Sequence, residues 1–302
     1  MTPLIDVVQV SIDGVMTGSG YALLALGFTL MFGVMRRLNL SFGAALMLGA
    51  YAAGWLHLHA GFGALAVAAT TVVVATLAGV YIERLCFAPL RGRDAIASLV
   101  SSFAVWMQLE ELATLMLPRH TNAFPALMDG DPFLFGPFHV RPDQIVMLVI
   151  AVALMLLVWL TLHRTRAGLA LRVLADQPGA ALAVGIDIRS TALMTFAAAS
   201  ALGGIAAFLI LAGDRQVTPM FGMWATTKGL IAMMLGGLGS IPGAVVGGLA
   251  LGLIEAHAQW RLGPQGRDLL AYALLFLCLV WRPGGLFGQT LADTEATARA
   301  RL

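Results

Sequence analysis

Charge is scarce in this chain. Asp, Glu, Lys and Arg make up 11% of its 302 residues, while hydrophobic residues make up 59%. A soluble domain carries about one quarter charged residues, and a compact soluble fold of this length has no interior large enough for so much apolar surface. The bilayer is therefore the solvent. No Lys or Arg precedes Arg36, whereas Asp6 and Asp13 lie in that first stretch. A cleavable signal peptide starts basic, so none is expected. There are two cysteines, Cys86 and Cys278, far apart in sequence. That excludes a disulfide framework and any cysteine spacing suited to a metal. No Gly-x-x-x-x-Gly-Lys-[Ser/Thr] phosphate loop is present, and no Ser/His/Asp or Cys/His set stands out. His57 and His59 lie two apart at a helix end, a spacing that suits neither a helical metal site nor catalysis. The middle of the apolar runs holds no ladder of carboxylates with a basic partner, which argues against proton coupling.

What the chain has in abundance is long uncharged runs. Crossing about 30 Å of hydrocarbon takes roughly 20 apolar residues. Segments of that kind fall at 15–35, 40–57, 62–82, 95–117, 143–162, 190–212, 226–238, 242–256 and 269–281. The last three are short, and the seventh and eighth could instead form a re-entrant hairpin. The expected fold is a single all-α polytopic membrane domain over 1–302, with about eight to nine transmembrane or re-entrant helices. Basic residues collect on the cytoplasmic side of membrane proteins. In the nine-segment arrangement one side carries twelve arginines, Arg36 to Arg301, and the other carries six basic residues, Arg119 to Arg267. The N-terminus is then expected outside and the C-terminal tail, 283–302, in the cytoplasm. A proline-rich loop at 118–142 is expected outside, as turns and short packed segments.

One polar island interrupts the apolar pattern, from Arg164 to Arg189. It is too basic for lipid and lies on the cytoplasmic side. Leu169, Val173, Ala180 and Val184 can form apolar patches on short helices, and Arg172 and Asp176 are spaced i,i+4 for local support. Pro178 interrupts any long helix, and Gly185 suits a helix stop. The pattern describes a membrane protein that presents a docking surface to a soluble partner. Transport powered from elsewhere is the leading reading. The rivals are an autonomous secondary transporter or channel, which would need an ion site, and a membrane enzyme, which would need a catalytic set.

Two glycine-rich segments each pass from a polar or flexible head into a small-residue helix: Asn39-Leu40-Ser41-Phe42-Gly43…Gly49, and Gly236-Gly237-Leu238-Gly239-Ser240-Ile241-Pro242-Gly243…Gly248. Pro242 suits the first turn of a helix. Paired Gly/Pro breaks in corresponding positions of two halves point to a transport path, although small residues spaced by four also let helices pack closely. Ionisable groups at membrane depth are costly and usually functional. Glu110 and Glu111 are adjacent and cannot share one helix face. Lys228 and Glu255 are placed to meet across the hairpin.

These residues carry a resemblance. The head Asn39-Leu40-Ser41-x-Gly43, followed by Gly49-Ala50-Tyr51, is similar to a segment of the LivH-like permease subunits of branched-chain amino acid ABC importers. Phe42 and Ala44 depart from that family's His or Gln and Glu. The run from Gly236 through Pro242 to Gly252 and Glu255 resembles the family's glycine signature almost residue for residue. The Arg172…Ala175-Asp176…Gly185 island resembles its cytoplasmic coupling segment, and Pro283-Gly284-Gly285-Leu286-Phe287-Gly288 its C-terminal end. The resemblance implies a non-enzymatic permease of the bacterial inner membrane. ATP and Mg would bind only on a partner, and this chain would bind no cofactor. It implies a second permease subunit, two cytoplasmic ATPase subunits and a periplasmic substrate-binding protein. Related importers of urea or short amides have similar permeases. Coupling is expected at Arg172, Ala175, Asp176 and Gly185. The pathway is expected at Asn39, Ser41, Phe42, Gly43, Gly49, Gly237, Gly239, Ser240, Pro242 and Gly243.

Overall fold

A computed structural model describes residues 3–90, 95–116, 122–128, 133–135, 137–282 and 284–288. Arg91, Arg93, Arg119, Asp129 and Asp131 fall outside it, as do Pro283 and 289–302. Eleven α-helices carry the described chain: α1 (Pro3–Met35), α2 (Phe42–Ala60), α3 (Ala64–Ile82), α4 (Ala95–Met116), α5 (Pro142–Arg164), α6 (Arg166–Asp176), α7 (Pro178–Ala183), α8 (Ile188–Asp214), α9 (Phe221–Gly236), α10 (Ile241–Leu262) and α11 (Pro264–Trp281). A π-helical turn, Glu83–Phe87, continues α3. Four short strands, β1 (Asn122–Ala123), β2 (Phe133–Phe135), β3 (Phe138–Val140) and β4 (Gln216–Val217), pair antiparallel as β1–β4 and β2–β3. The loop before α5 is thus small ribbons and turns. Gln9 of α1 ties it down, donating to the His139 carbonyl at 2.8 Å and accepting from the His139 N–H at 3.1 Å.

Among the described residues, five helices are long and apolar enough to cross a membrane: Leu4–Met35, Ala64–Phe87, Pro142–Arg164, Ile188–Asp214 and Ile241–Leu262. The fold is an all-α polytopic membrane bundle. Two expected boundaries move furthest. The first helix starts at Pro3 rather than residue 15, because Asp6, Gln9 and Asp13 lengthen it as a polar extension that apolar windows cut off. The eighth segment runs to Leu262 rather than 256. At 22 residues it is about 33 Å long, enough to cross a membrane. Its partner α9 has 16 residues and reaches only about 24 Å.

α1 is the central post. Of its most apolar window, 72% is buried inside the protein, against 17% for α5. It packs along the length of α10, antiparallel and very close. Gly14, Gly18, Gly248 and Gly252 form the seam, where an added Cβ on Gly248 would strike the backbone of Ala22. Without a hydrophobic force between helices in lipid, such close backbone contact drives association. The second helix pair in this core, α9–α10, uses the same device at Gly236, Gly243 and Gly247.

Candidate functional site

The first glycine segment begins inside the bundle. Phe42 packs edge-on to Phe28 of α1, ring centroids 4.6 Å apart. α1 continues seven residues past Phe28 to Met35, roughly 10 Å further along. The chain then turns at Arg36, whose φ is 51°, and climbs back before α2 starts. Irregular backbone at membrane depth is tolerated only where protein or a cavity satisfies it. Here side chains do so. Asn39 Oδ1 accepts from the Ser41 N–H at 3.1 Å and from Ser41 Oγ at 3.0 Å. Ser102 Oγ accepts from the Leu40 N–H at 3.3 Å, and Thr226 Oγ1 from the Gly43 N–H at 3.1 Å. Asn39, Ser41, Phe42, Gly43 and Gly49 are all buried. A Cβ on Gly43 would strike the Gly222 carbonyl and Thr226, and one on Gly49 would sit 2.6 Å from the Thr71 carbonyl.

The second segment turns at the opposite kind of place. α9 ends at Gly236, and Gly237 takes φ +118°. α10 restarts behind Ser240, whose hydroxyl accepts from the Gly243 N–H at 3.2 Å, with Pro242 in the first turn. Gly237 and Gly243 are buried, but Gly239 and Pro242 are exposed and Ser240 is half-buried. The C-terminal motif folds onto this turn. The Leu286 and Phe287 N–H groups each donate at 2.9 Å, to the carbonyls of Leu235 and Gly236. Those are orphan acceptors at the end of α9, which a helix terminus must otherwise leave to water or a cap.

Gly239, Ser240 and Pro242 line an open groove of about 900 Å³ between α1, α5 and α10. Arg172 and Ala175 of the island line the same groove. The structure therefore brings two of the residues expected to couple, Arg172 and Ala175, to one cavity with Gly239, Ser240 and Pro242, while Gly185, Gly237 and Gly243 do not line it. It does not bring the first glycine segment there: none of Asn39, Ser41, Phe42, Gly43 or Gly49 lines the groove. Apolar side chains of α1, α5 and α10 supply most of the remaining wall, Leu30, Val152 and Val246 among them, with Ser19, Thr29 and His163 as polar exceptions. Sequence reasoning missed these, since each lies in an ordinary apolar run.

The island folds as its punctuation dictates. α6 starts behind Thr165, whose hydroxyl accepts from the Gly168 N–H at 3.1 Å. α6 breaks at Gln177, and Pro178 opens α7. α7 closes on Gly185 at φ +82°, with the Ile186 N–H on the Ala181 carbonyl at 2.9 Å and the Gly185 N–H on the Leu182 carbonyl at 3.0 Å. That pair of bonds is the Schellman stop. Leu174 and Ala181 pack inward, whereas Leu169, Leu182 and Val184 are exposed beside Arg172. From α1, Arg36 donates to the Ala175 carbonyl at 2.9 Å, fixing α6 to the central post. The backbone of Asp176 ends α6, and its side chain lies outside the described atoms.

At the far end of the bundle Lys228 and Glu255 meet, Nζ to Oε1 at 2.6 Å, both 2% exposed. The spacing across the hairpin made that pair legible. Its other members come from distant parts of the chain. Lys228 also reaches Asp268 at 2.7 Å, and Arg267 Nε donates to Glu255 Oε2 at 2.8 Å. Arg267 donates to the Tyr21 hydroxyl oxygen too, and Tyr21 donates to Glu255 Oε2 at 2.9 Å. Two cations and two carboxylates neutralise one another and tie α1, α9, α10 and α11 together. On α4, Glu110 is half-buried and Glu111 is exposed in a cleft of about 720 Å³ between α3 and α4, so the adjacent carboxylates do take different faces.

Comparison with known proteins follows the same outline. Over 302 aligned residues the chain is 32% identical to the high-affinity branched-chain amino acid transport system permease protein BraD of Pseudomonas aeruginosa, covering 96% of this chain and 98% of BraD. It is 29% identical to LivH of Escherichia coli (strain K12), covering 93% and 95%. Its fold is similar to that of a metal-chelate-type ABC transporter in an inward-facing conformation, with TM-score 0.54 at 15% identity, over 91% of this chain and 88% of that one. Residues 11–279 match the family of the permease component of the branched-chain amino acid transport system, and the chain belongs to that family.

Proposed function

We propose that this permease is the membrane half of an ATP-driven importer for branched-chain amino acids in a bacterial inner membrane. The similar BraD and LivH are named for that substrate class. One observation supports the mechanism most: Arg172 and Ala175 share a groove with Gly239, Ser240 and Pro242. A push on α6 from below then reaches the glycine turn directly. Leu169, Leu182 and Val184 are apolar groups exposed on the segment that also carries exposed Arg172, a surface suited to the groove of a cytoplasmic ATPase. ATP-driven closure of two such ATPases moves α6 and α7, and alternating access follows as the α9–α10 turn shifts against α1 and α5. A second permease subunit completes the path, and a periplasmic binding protein delivers substrate to the opposite end. The N-terminus is outside and the C-terminus cytoplasmic.

The test is reconstitution. Co-expressed with its ATPases, second permease and binding protein, the chain co-purifies with the ATPases and takes up leucine only with ATP. Leucine uptake with no ATPase present overturns the reading. Orientation is tested separately at Leu85, which is exposed while Cys86 is buried. In a variant lacking both native cysteines, Leu85→Cys reacts with an impermeant thiol reagent from the cytoplasmic side. Reaction from outside in intact cells reverses the topology.

A further inference from the structure

A second, smaller cavity opens beside the charge cluster, at the end of the bundle opposite α6. Its volume is about 230 Å³, below the roughly 300–1,000 Å³ that holds drug-sized ligands. It suits one small molecule. Its polar wall holds charges of both signs: Arg141 and Asp143 where the outer loop enters α5, Asp214 at the end of α8, and Arg267 at the start of α11. Its apolar wall is Met147, Leu209, Ile210 and Trp224.

The charged groups are available to a ligand. Arg141 and Asp143 stand 3.6 Å apart, a loose pair in which the arginine side chain is 54% exposed. Hydrogen-bond contact needs about 3.2 Å or less, so both retain bonding capacity. Arg267 spends its Nε–H on Glu255 and one terminal N–H on Tyr21. A guanidinium has five donors in a fixed fork, and the fork is held in place by a buried cluster that does not depend on the ligand. Asp214 ends α8 on the wall of the same cavity as Arg141 and Arg267. The cavity thus offers one fixed cationic donor in Arg267 and a second, exposed one in Arg141 for a carboxylate, carboxylates for an ammonium, and an apolar surface for a side chain. That is the complement of a zwitterionic α-amino acid with an aliphatic side chain.

We infer that this cavity is an outer reception site for the amino acid, where Arg141 and Arg267 take its carboxylate, Asp143 and Asp214 its ammonium, and Met147, Leu209 and Ile210 its side chain. The inference rests on the importer reading and on the orientation proposed with it. The site stands between a delivering protein outside and the long groove within. It discriminates by charge pattern, since a ligand lacking either charged group leaves fixed protein charges unpaired.

The experiment uses Thr17→Cys, which lines the cavity, in the assembled importer without native cysteines, with Gln144→Cys as a second reporter. Modification by an impermeant thiol reagent from outside is timed with L-leucine, isocaproate (no ammonium) or isopentylamine (no carboxylate). ATP-driven leucine uptake is measured in the same preparation. Leucine alone is expected to slow modification. Asp214→Asn is expected to shift the leucine concentration needed for protection roughly 10- to 100-fold, the loss of one charge-assisted bond. Equal protection by isopentylamine overturns the zwitterion assignment. No protection at either reporter, with uptake intact, overturns the reception site and leaves the importer reading standing. Absence of ATP-driven uptake in the parent complex instead removes the importer reading on which the site rests.

Discussion

Asn39–Gly49 and Gly237–Gly243 look alike in sequence. Each has a flexible head, glycines at close spacing and an apolar helix behind. Their environments are opposite. The first is buried against α1, α4 and α9, its broken backbone satisfied by Asn39, Ser102 and Thr226. The second is half open to a groove, and Ser240 alone caps its helix. Glycine in the first segment lets backbones touch. In the second it lets the chain turn sharply, at φ +118° and +79° in Gly237 and Gly239. In the proposed mechanism the first segment is a fixed joint and the second the one that moves.

The contrast orders the expected effects of substitution. Gly43→Leu is the most damaging, because its Cβ meets the Gly222 carbonyl and the Thr226 side chain on a helix that cannot retreat. Overpacking costs roughly 1–3 kcal/mol where neighbours can relax, and here more is expected. The readout is loss of a monodisperse peak in detergent. A folded, transporting Gly43→Leu would show that the first joint is loose. Lys228→Met comes next, as it removes one of the two cations on buried Glu255, which keeps Arg267 and Tyr21 as partners. The expected cost stays below the roughly 3–5 kcal/mol of a fully uncompensated buried charge, seen as a lower melting temperature, and Lys228→Met with Glu255→Leu should recover part of it. No recovery would mean that the cluster is not held by that pair. Ser240→Ala removes one cap and costs roughly 1 kcal/mol. Its effect on uptake should exceed its effect on melting, whereas the reverse would place the second turn among the rigid joints. Pro242→Ala, exposed in the first helical turn, should barely change melting, by less than about 0.5 kcal/mol. An equal loss of melting and uptake there would erase the distinction between the two segments.

Much of this arrangement could be read from the chain. Pro178, Gly185 and Pro242 each act where their backbone chemistry predicts, and Lys228 finds Glu255 across a hairpin of known pitch. Depth could not be read. Nothing in the composition of Phe42-Gly43-Ala44 says that α2 starts level with Phe28, because that depends on how far α1 overshoots. The rest of the charge cluster was equally hidden, since Tyr21 and Arg267 are separated by 246 positions. Bundle topology alone brings them together. The groove wall escaped for a different reason: Leu30, Val152 and Val246 differ from lipid-facing residues only in what stands opposite them.

The central claim is that the groove between α5 and α10 changes width when the ATPases act on α6. Spin labels at Leu156→Cys on α5 and Val246→Cys on α10, both exposed and both lining the groove, measure it in a complex lacking native cysteines. The predicted result is a distance distribution that shifts between the nucleotide-free and ATP-trapped complexes, and a shift that disappears in Arg172→Glu. An unchanged distribution in a complex that still imports leucine would contradict the account.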